Sequence, residues 1–217
     1  MFKKRIGVSQ RITKKIEYDE VVNSLDVNWV NLLTRLEILC VPLPLMPADS
    51  VKKMWKELKL DGLILSGGNT LANYADENDK PENISIERDL FENALLEEAV
   101  LNEVPILGVC RGMQVINVFF DGKLNKIKGH AGTRHQLITE ELNNGFHFPS
   151  EVNSFHNFSI PRKCLGKNLL PLAYDNEDNI EAFYNPKKKI IGIMWHPERE
   201  VDSVDSDCKL IKNHFQL

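Results

Sequence analysis

Ile106-Leu107-Gly108-Val109-Cys110-Arg111-Gly112-Met113-Gln114 is the stretch on which the reading of this chain turns. Pro105–Val109 is a short apolar run of the kind that makes a buried strand, and the pattern becomes helical at once, over Arg111–Phe120. Between the two stands Gly-x-Cys-x-Gly. A strand that turns directly into a helix crowds its neighbours, so small residues are needed at 108 and 112. This is the pattern of a nucleophile elbow, with sulfur in place of the serine hydroxyl. The elbow sets the sulfur at the carboxyl end of a sheet and at a helix N-terminus, where the helix dipole favours thiolate over thiol. A lone cysteine ending a core strand is more often simply buried. The chemistry therefore needs a partner base elsewhere in the chain.

Ile190-Ile191-Gly192-Ile193-Met194-Trp195-His196-Pro197-Glu198 supplies one. His196 follows a strongly apolar strand and so also lies at a strand end. Pro197 stiffens the turn. Glu198, two residues on, can bond one imidazole nitrogen while the other faces Cys110. Nucleophile, base and orienting carboxylate are then all present. A third piece is Ser66-Gly67-Gly68-Asn69, again after an apolar run, Gly62–Leu65. Acyl transfer needs N–H donors where an oxyanion develops. A glycine pair lets the backbone approach substrate, with one donor from Gly68 or Asn69 and another from Arg111. A plain tight turn is the other reading of these four residues.

Working outward, short apolar runs alternate with helical patterns. Arg5–Ser9 reads as the first strand, and Asp19–Glu37 as a helix with Leu25, Trp29, Leu32 and Leu36 on one face. Ile38–Leu43 reads as a strand. A helix capped by Asp49 or Ser50 runs through Leu58. Residues 69–84 are polar and read as a mobile surface flap. Ser85 caps the next helix, with Ile86, Leu90, Ala94 and Leu95 sharing a face. Extended pieces follow around Val152–His156, Leu169–Ala173, Ile180–Tyr184 and Ile190–Trp195, and a last helix covers Val204–Phe215. Alternation of this kind implies an α/β fold, a central mostly parallel sheet with helices on both faces. Ligands on such sheets bind beyond the carboxyl ends of the strands. No repeat or low-complexity linker divides residues 1–217, which read as one domain.

The 217 residues are 42% apolar and 27% charged, the composition of a soluble globular protein, with a formal charge of −4. No basic excess points to nucleic acid, and no run reaches the roughly 20 apolar residues that span a bilayer. Cys40, Cys110, Cys164 and Cys208 form no CxxC pair, so a zinc site is not expected. The spacing of His130, His135, His147, His156 and His214 names no metal site either. The expectation is a reduced, cytoplasmic protein with Cys110 as a free thiol.

Gly108–Gln114 and Trp195-His196-Pro197-Glu198 resemble the nucleophile and His-Pro-Glu motifs of the class I glutamine amidotransferases, in the same order and at similar wide spacing. The resemblance covers nearly the whole chain. It is strongest to the γ-glutamyl-γ-aminobutyrate hydrolase branch, through Arg88-Asp89, Asn117-Val118, Asp121–Leu124, Val152–His156 and Ile180-Glu181-Ala182. It implies a flavodoxin-like sheet, no cofactor, and a small-molecule γ-glutamyl substrate held as a thioester on Cys110. His196 and Glu198 complete the catalytic set. Gly67, Gly68, Asn69, Arg111 and Gln114 would face the substrate. Asn153, Ser154 and Phe155 would help to hold the glutamyl α-amino and α-carboxylate groups. Asn157, Phe158 and Met194 depart from the branch pattern, on the leaving-group side. A narrower resemblance is to the bacterial γ-glutamyl-CDP-amidate hydrolases of capsular phosphoramidate synthesis. For a cytidine diphosphate group, Lys126, Lys128, His130, Arg134 and His135 are a candidate cation cluster, a solvated face being the alternative. A homodimer and a separate synthetase partner both stay open.

Overall fold

The computed structural model describes residues 1–140, 145–200 and 204–217. The first half of the chain runs β1 (Lys4–Ser9), β2 (Arg11–Lys15), β3 (Glu20–Ser24), α1 (Val27–Arg35), β4 (Ile38–Leu43), α2 (Val51–Leu58) and β5 (Gly62–Leu65). After it come α3 (Ile86–Leu101), β6 (Ile106–Val109), α4 (Arg111–Phe119), β7 (Asn125–Lys126), β8 (Ala131–Gln136) and β9 (Ile138–Thr139). The rest is β10 (Glu151–Phe155), β11 (Phe158–Ser159), β12 (Leu170–Tyr174), β13 (Ile180–Asn185), β14 (Ile190–Ile193) and α5 (Val204–Phe215).

One eight-stranded sheet has the order β4-β1-β5-β6-β14-β13-β12-β9. The pairings from β4 through β14 are parallel, and those from β14 to β9 are antiparallel. Side chains alternate across the central strands, as a period of two requires. Leu63, Leu65 and Ile106 meet Trp55, Phe91 and Ile116 on one face. Ile64, Leu107 and Val109 meet Trp29, Ile211 and Phe215 on the other. Each such fully buried side chain stabilises the fold by roughly 1.5–3 kcal/mol. Among the described residues no helix is long and apolar enough to cross a membrane, and all four cysteines are free thiols.

Two expectations are corrected. The helix read over Asp19–Glu37 begins only at Val27, where Asp26 caps it by accepting from the Asn28 N–H at 3.1 Å. Its first residues instead form β3, which pairs antiparallel with β2 in a hairpin. β-Branched Val21 and Val22 favour the strand. On α3, Ile86 and Leu90 are exposed. The buried face carries Arg88, Phe91, Glu92, Leu95, Leu96 and Ala99, because Arg88 and Glu92 neutralise one another inside. Residues 69–84, read as a surface flap, make contacts within the segment and with α3 and β7. The Thr70 N–H donates to the Asn83 carbonyl at 2.7 Å, Ala72 N–H to Asp89 at 2.8 Å, and Lys126 pairs with Asp76 and Asp79.

Candidate active site

Cys110 follows β6 directly and has φ 52°, the left-handed region that a side chain rarely adopts. Its own N–H donates to the Ile193 carbonyl at 2.8 Å, which locks the elbow to β14. The flanking glycines are required by contact. A Cβ on Gly112 would lie 2.0 Å from the Leu65 carbonyl oxygen, and one on Gly108 would lie 2.5 Å from Ile116. Arg111 opens α4, so its N–H has no acceptor within the helix.

β14 pairs in parallel with β6, Ile193 beside Val109, so His196 emerges at the same edge as Cys110. Its Nδ1 lies 2.7 Å from Glu198 Oε1, and both side chains are buried. Burial by itself lowers the His196 pKa. The charge of Cys110 and a hydrogen bond to it, with the hydrogen bond and charge of Glu198, outweigh that and raise it to about 10. Asn153 fixes the backbone of the same residue. It accepts the His196 N–H and donates to the His196 carbonyl, both at 2.9 Å, and donates to Glu200 at 2.6 Å. Gly67 lies between the two reactive groups. A Cβ there would lie 2.6 Å from His196 Cε1 and 3.6 Å from Cys110 Cβ.

The Ser66–Asn69 turn is held from behind by Arg88, whose guanidinium donates to the carbonyls of Ser66, Gly67 and Gly68. In a trans peptide the N–H points opposite to its C=O. Drawing the Gly67 and Gly68 carbonyls toward Arg88 therefore turns the N–H groups of Gly68 and Asn69 the other way. Gly68 permits this at φ +85°. Arg88 in turn bonds Glu92 at 2.9 Å, and Arg111 pairs with both Glu92 and Asp89. Ser9 Oγ donates to Glu92 at 2.7 Å. For Glu92, burial raises the carboxyl pKa, but Arg111 and Arg88 outweigh it and hold the group below its ordinary value. The same cations leave it an ionised acceptor.

A cleft of about 360 Å³ opens over Cys110, within the size range of small-molecule sites. Gly68, Asn69, Arg111, Gln114 and Phe155 line it, as do Asn157 and Phe158. Asn153 and Ser154 do not. Asn153 serves His196, and buried Ser154 donates to the His130 carbonyl at 2.6 Å. The amide of Asn69 is also engaged, bridging both backbone groups of Ile12 at 2.9 Å. The Arg111 guanidinium is turned inward, which leaves its backbone for the cleft. Met194 is core, 3.7 Å from Gln114 Nε2. The far wall is made by Arg11, Thr13 and Lys14 of the hairpin, with Thr70, Glu82 and Asn83. Sequence reading missed this wall. The β-branched residues Ile12, Thr13, Val21 and Val22 were the available signal. None of Lys126, Lys128, His130, Arg134 and His135 lines the cleft, and Lys126 and Arg134 are paired with carboxylates.

A thiol at a strained elbow, an imidazole oriented by a carboxylate, and N–H groups turned to one cleft can together carry out acyl transfer. The Peptidase C26 family model matches residues 6–198. The γ-glutamyl-CDP-amidate hydrolase of Campylobacter jejuni subsp. jejuni serotype O:2 is 34% identical over 98% of each chain. A glutamine amidotransferase-like protein, YvdE, of Lactococcus lactis subsp. lactis is 32% identical over 77% of this chain and 79% of its own. Among solved structures, a glutamine amidotransferase of Thermotoga maritima superposes with a TM-score of 0.63, at 16% identity, over 100% of this chain and 85% of that one. The fold is thus that of the class I glutamine amidotransferases, and the chain belongs to the Peptidase C26 family.

Proposed function

We propose that this protein hydrolyses the γ-glutamyl amide bond of a small-molecule conjugate, and that the conjugate is γ-glutamyl-CDP-amidate or a close relative. The observation that carries the hydrolase reading is Cys110 at φ 52° beside His196, whose far nitrogen meets Glu198 at 2.7 Å. The sulfur attacks the γ-carbonyl, and the oxyanion rests on the N–H groups of Gly68 and Arg111. His196 gives its proton to the leaving nitrogen, and the C–N bond breaks. Water then attacks the thioester, His196 takes the proton, and glutamate leaves with the thiolate restored. Glu198 holds the imidazole in the tautomer and orientation this needs. No cofactor enters these steps.

The finer reading rests on the likeness to the Campylobacter enzyme along the full chain and on the cleft wall. Arg11 and Lys14 line it and have no ion pair among the described residues. Two cations beside a thiol cleft suit a diphosphate. Asn157 and Phe158 give the same cleft a polar and an aromatic surface for a base. On this reading the protein acts in capsular phosphoramidate synthesis, alone and in the cytoplasm.

Glutamate release from glutamine, γ-glutamyl-aminobutyrate and γ-glutamyl-CDP-amidate tests both levels. Fast release from the nucleotide conjugate, little from the others, and none from Cys110→Ala is expected. Preference for γ-glutamyl-aminobutyrate would refute the nucleotide. Silence on all three, relieved by a separate synthetase, would make the chain a glutaminase subunit instead.

A further inference from the structure

Outside the reactive set, four side chains from three segments of the chain converge on one point. They are His130 before β8, His135 on β8, His156 after β10, and Glu181 on β13. One ligand atom from each lies within 4.8 Å of all the others. His156 and Glu181 are almost completely buried, and His130 and His135 are nearly so.

The outward nitrogens of His156 and His135 meet carbonyl oxygens at hydrogen-bond distance, and that of His130 faces a carboxylate farther off. His156 Nδ1 is 2.9 Å from the Phe158 carbonyl, and His135 Nδ1 is 3.2 Å from the Gln136 carbonyl. His130 Nε2 is 3.8 Å from Asp175. Carbonyls only accept, so the protons of His156 and His135 sit on Nδ1. The inward nitrogens are left as lone pairs. His156 Nε2 faces Glu181 Oε1 at 3.6 Å, and His135 Nε2 faces Glu181 Oε2 at 3.6 Å. His130 Nδ1, His135 Nε2, His156 Nε2 and both Glu181 oxygens are buried without a hydrogen-bond partner among the described residues. Five acceptors turned on one another repel. One shared proton would satisfy two of them, whereas one cation takes a lone pair from each of the four residues.

We propose that His130, His135, His156 and Glu181 form a binding site for a divalent transition metal of the zinc class. Three imidazoles and a carboxylate suit such an ion. Tetrahedral zinc bonds of about 2.0–2.2 Å put neighbouring ligand atoms about 3.3–3.6 Å apart, so the 3.6 Å pairs already fit and the other ligand atoms, all within 4.8 Å of one another, draw in on binding. The Phe158 and Gln136 carbonyls are the partners expected of metal-bound histidines, since they fix the tautomer and ring orientation of His156 and His135. Asp175 is itself held, accepting from the Glu177 and Asn179 N–H groups at 2.8 and 2.9 Å. Four protein ligands close the coordination shell, which makes the site structural. It ties β8, β10 and β13 together directly behind the cleft, where His156 forms part of the wall.

The test uses the full chain without a polyhistidine tag, in the Cys110→Ala background so that the reactive thiol takes no metal. It is loaded with zinc, freed of loosely held ion by gel filtration, and assayed for bound metal. About one zinc per chain is expected, with visible absorption bands of tetrahedral type when cobalt(II) replaces it. His135→Gln, at the most accessible ligand, and Glu181→Gln should each lower retained zinc at least tenfold, with circular dichroism confirming the fold. Retention near zero in the parent chain, or equal retention in folded His135→Gln, would overturn the site and leave a proton-sharing cluster in its place. These readouts need no turnover, so they stand or fall apart from the proposed hydrolysis.

Discussion

Asn153 holds both backbone groups of His196, accepting its N–H and donating to its carbonyl, each at 2.9 Å. The strand β10 that carries Asn153 is not hydrogen-bonded into the central sheet, so this side chain couples a separate ribbon to the strand end that presents the base. Asn153→Ala would leave the buried His196 N–H without a partner, a cost of about 1–3 kcal/mol, while the His196 carbonyl keeps the Arg199 N–H at 3.1 Å. Denaturant unfolding should show a loss in that range. Because His196 also loses its placement, kcat should fall by about 100-fold. A stable variant with undiminished kcat would show that Pro197 and Glu198 fix the imidazole without help.

Gly67→Ala separates geometry from stability. The added methyl would meet His196 Cε1 at 2.6 Å, and His196 is pinned at Nδ1 and along its backbone. The imidazole must yield, and with it the approach to Cys110. Glutamate release should drop at least tenfold while thermal unfolding moves little. Gly112→Ala is the contrast. Its methyl would meet the Leu65 carbonyl oxygen at 2.0 Å, backbone against backbone, so loss of the fold itself is expected in circular dichroism.

The pH dependence has a defined sign. His196 is raised to about 10 by Cys110 and Glu198 acting against burial. In the proposed mechanism the leaving nitrogen takes the proton of His196, so kcat/KM should hold across neutral pH and fall as pH rises through about 10. Glu198→Gln removes one of the groups that raise His196, so the alkaline limb should move to lower pH. Activity should fall by about 1,000- to 10,000-fold, as when the orienting carboxylate of a serine triad is replaced. A limb that stays in place would mean another group titrates. The same raised pKa stabilises the fold fully below the ordinary histidine value of about 6.5, and that contribution is lost as pH climbs through about 10.

Arg88 and Glu92 test the support behind the glycine turn. Arg88→Met leaves Glu92 with only Arg111 as a charged partner and frees the carbonyls of Ser66, Gly67 and Gly68. Breaking a buried pair on one side costs about 3–5 kcal/mol. The N–H groups also lose their aim, so kcat should fall more than KM rises. Chemical denaturation and steady-state kinetics read the two effects separately.

Arg11→Ala and Lys14→Ala bear on the leaving group. If the hairpin cations meet a diphosphate, each variant should raise KM for γ-glutamyl-CDP-amidate by about 10- to 100-fold, the loss of one charge-assisted bond. Turnover of γ-glutamyl-aminobutyrate should stay as it was. Equal effects on both substrates would assign these residues to the glutamyl end or to the hairpin itself.

Most of the central sheet was legible because each buried strand is a short apolar run ending in glycine, proline or a polar turn. Ile38–Leu43 and Gly62–Leu65 fall where the pattern puts them, as does the last helix, Val204–Phe215. The reactive set was legible for a related reason. Cys110 and His196 each follow an apolar strand, and parallel strands deliver their carboxyl ends to one edge. What stayed hidden depended on pairing between distant segments. The face of α3 was misread because hydrophobicity cannot announce that Arg88 and Glu92 cancel inside a core. The hairpin wall was missed because Ile16, Tyr18 and Val21 are exposed and give no clean alternation. His130, His135, His156 and Glu181 have no spacing of a metal motif, and only the folding of β8, β10 and β13 brings them together.

The claim that Cys110 carries the glutamyl group is tested most directly by intact-mass spectrometry of the protein, acid-quenched during turnover of γ-glutamyl-CDP-amidate. The account predicts a mass gain of one glutamyl group on Cys110, lost on further incubation and absent from Cys110→Ala. Glutamate release that continues with Cys110 replaced by alanine, or an adduct on another residue, would contradict it.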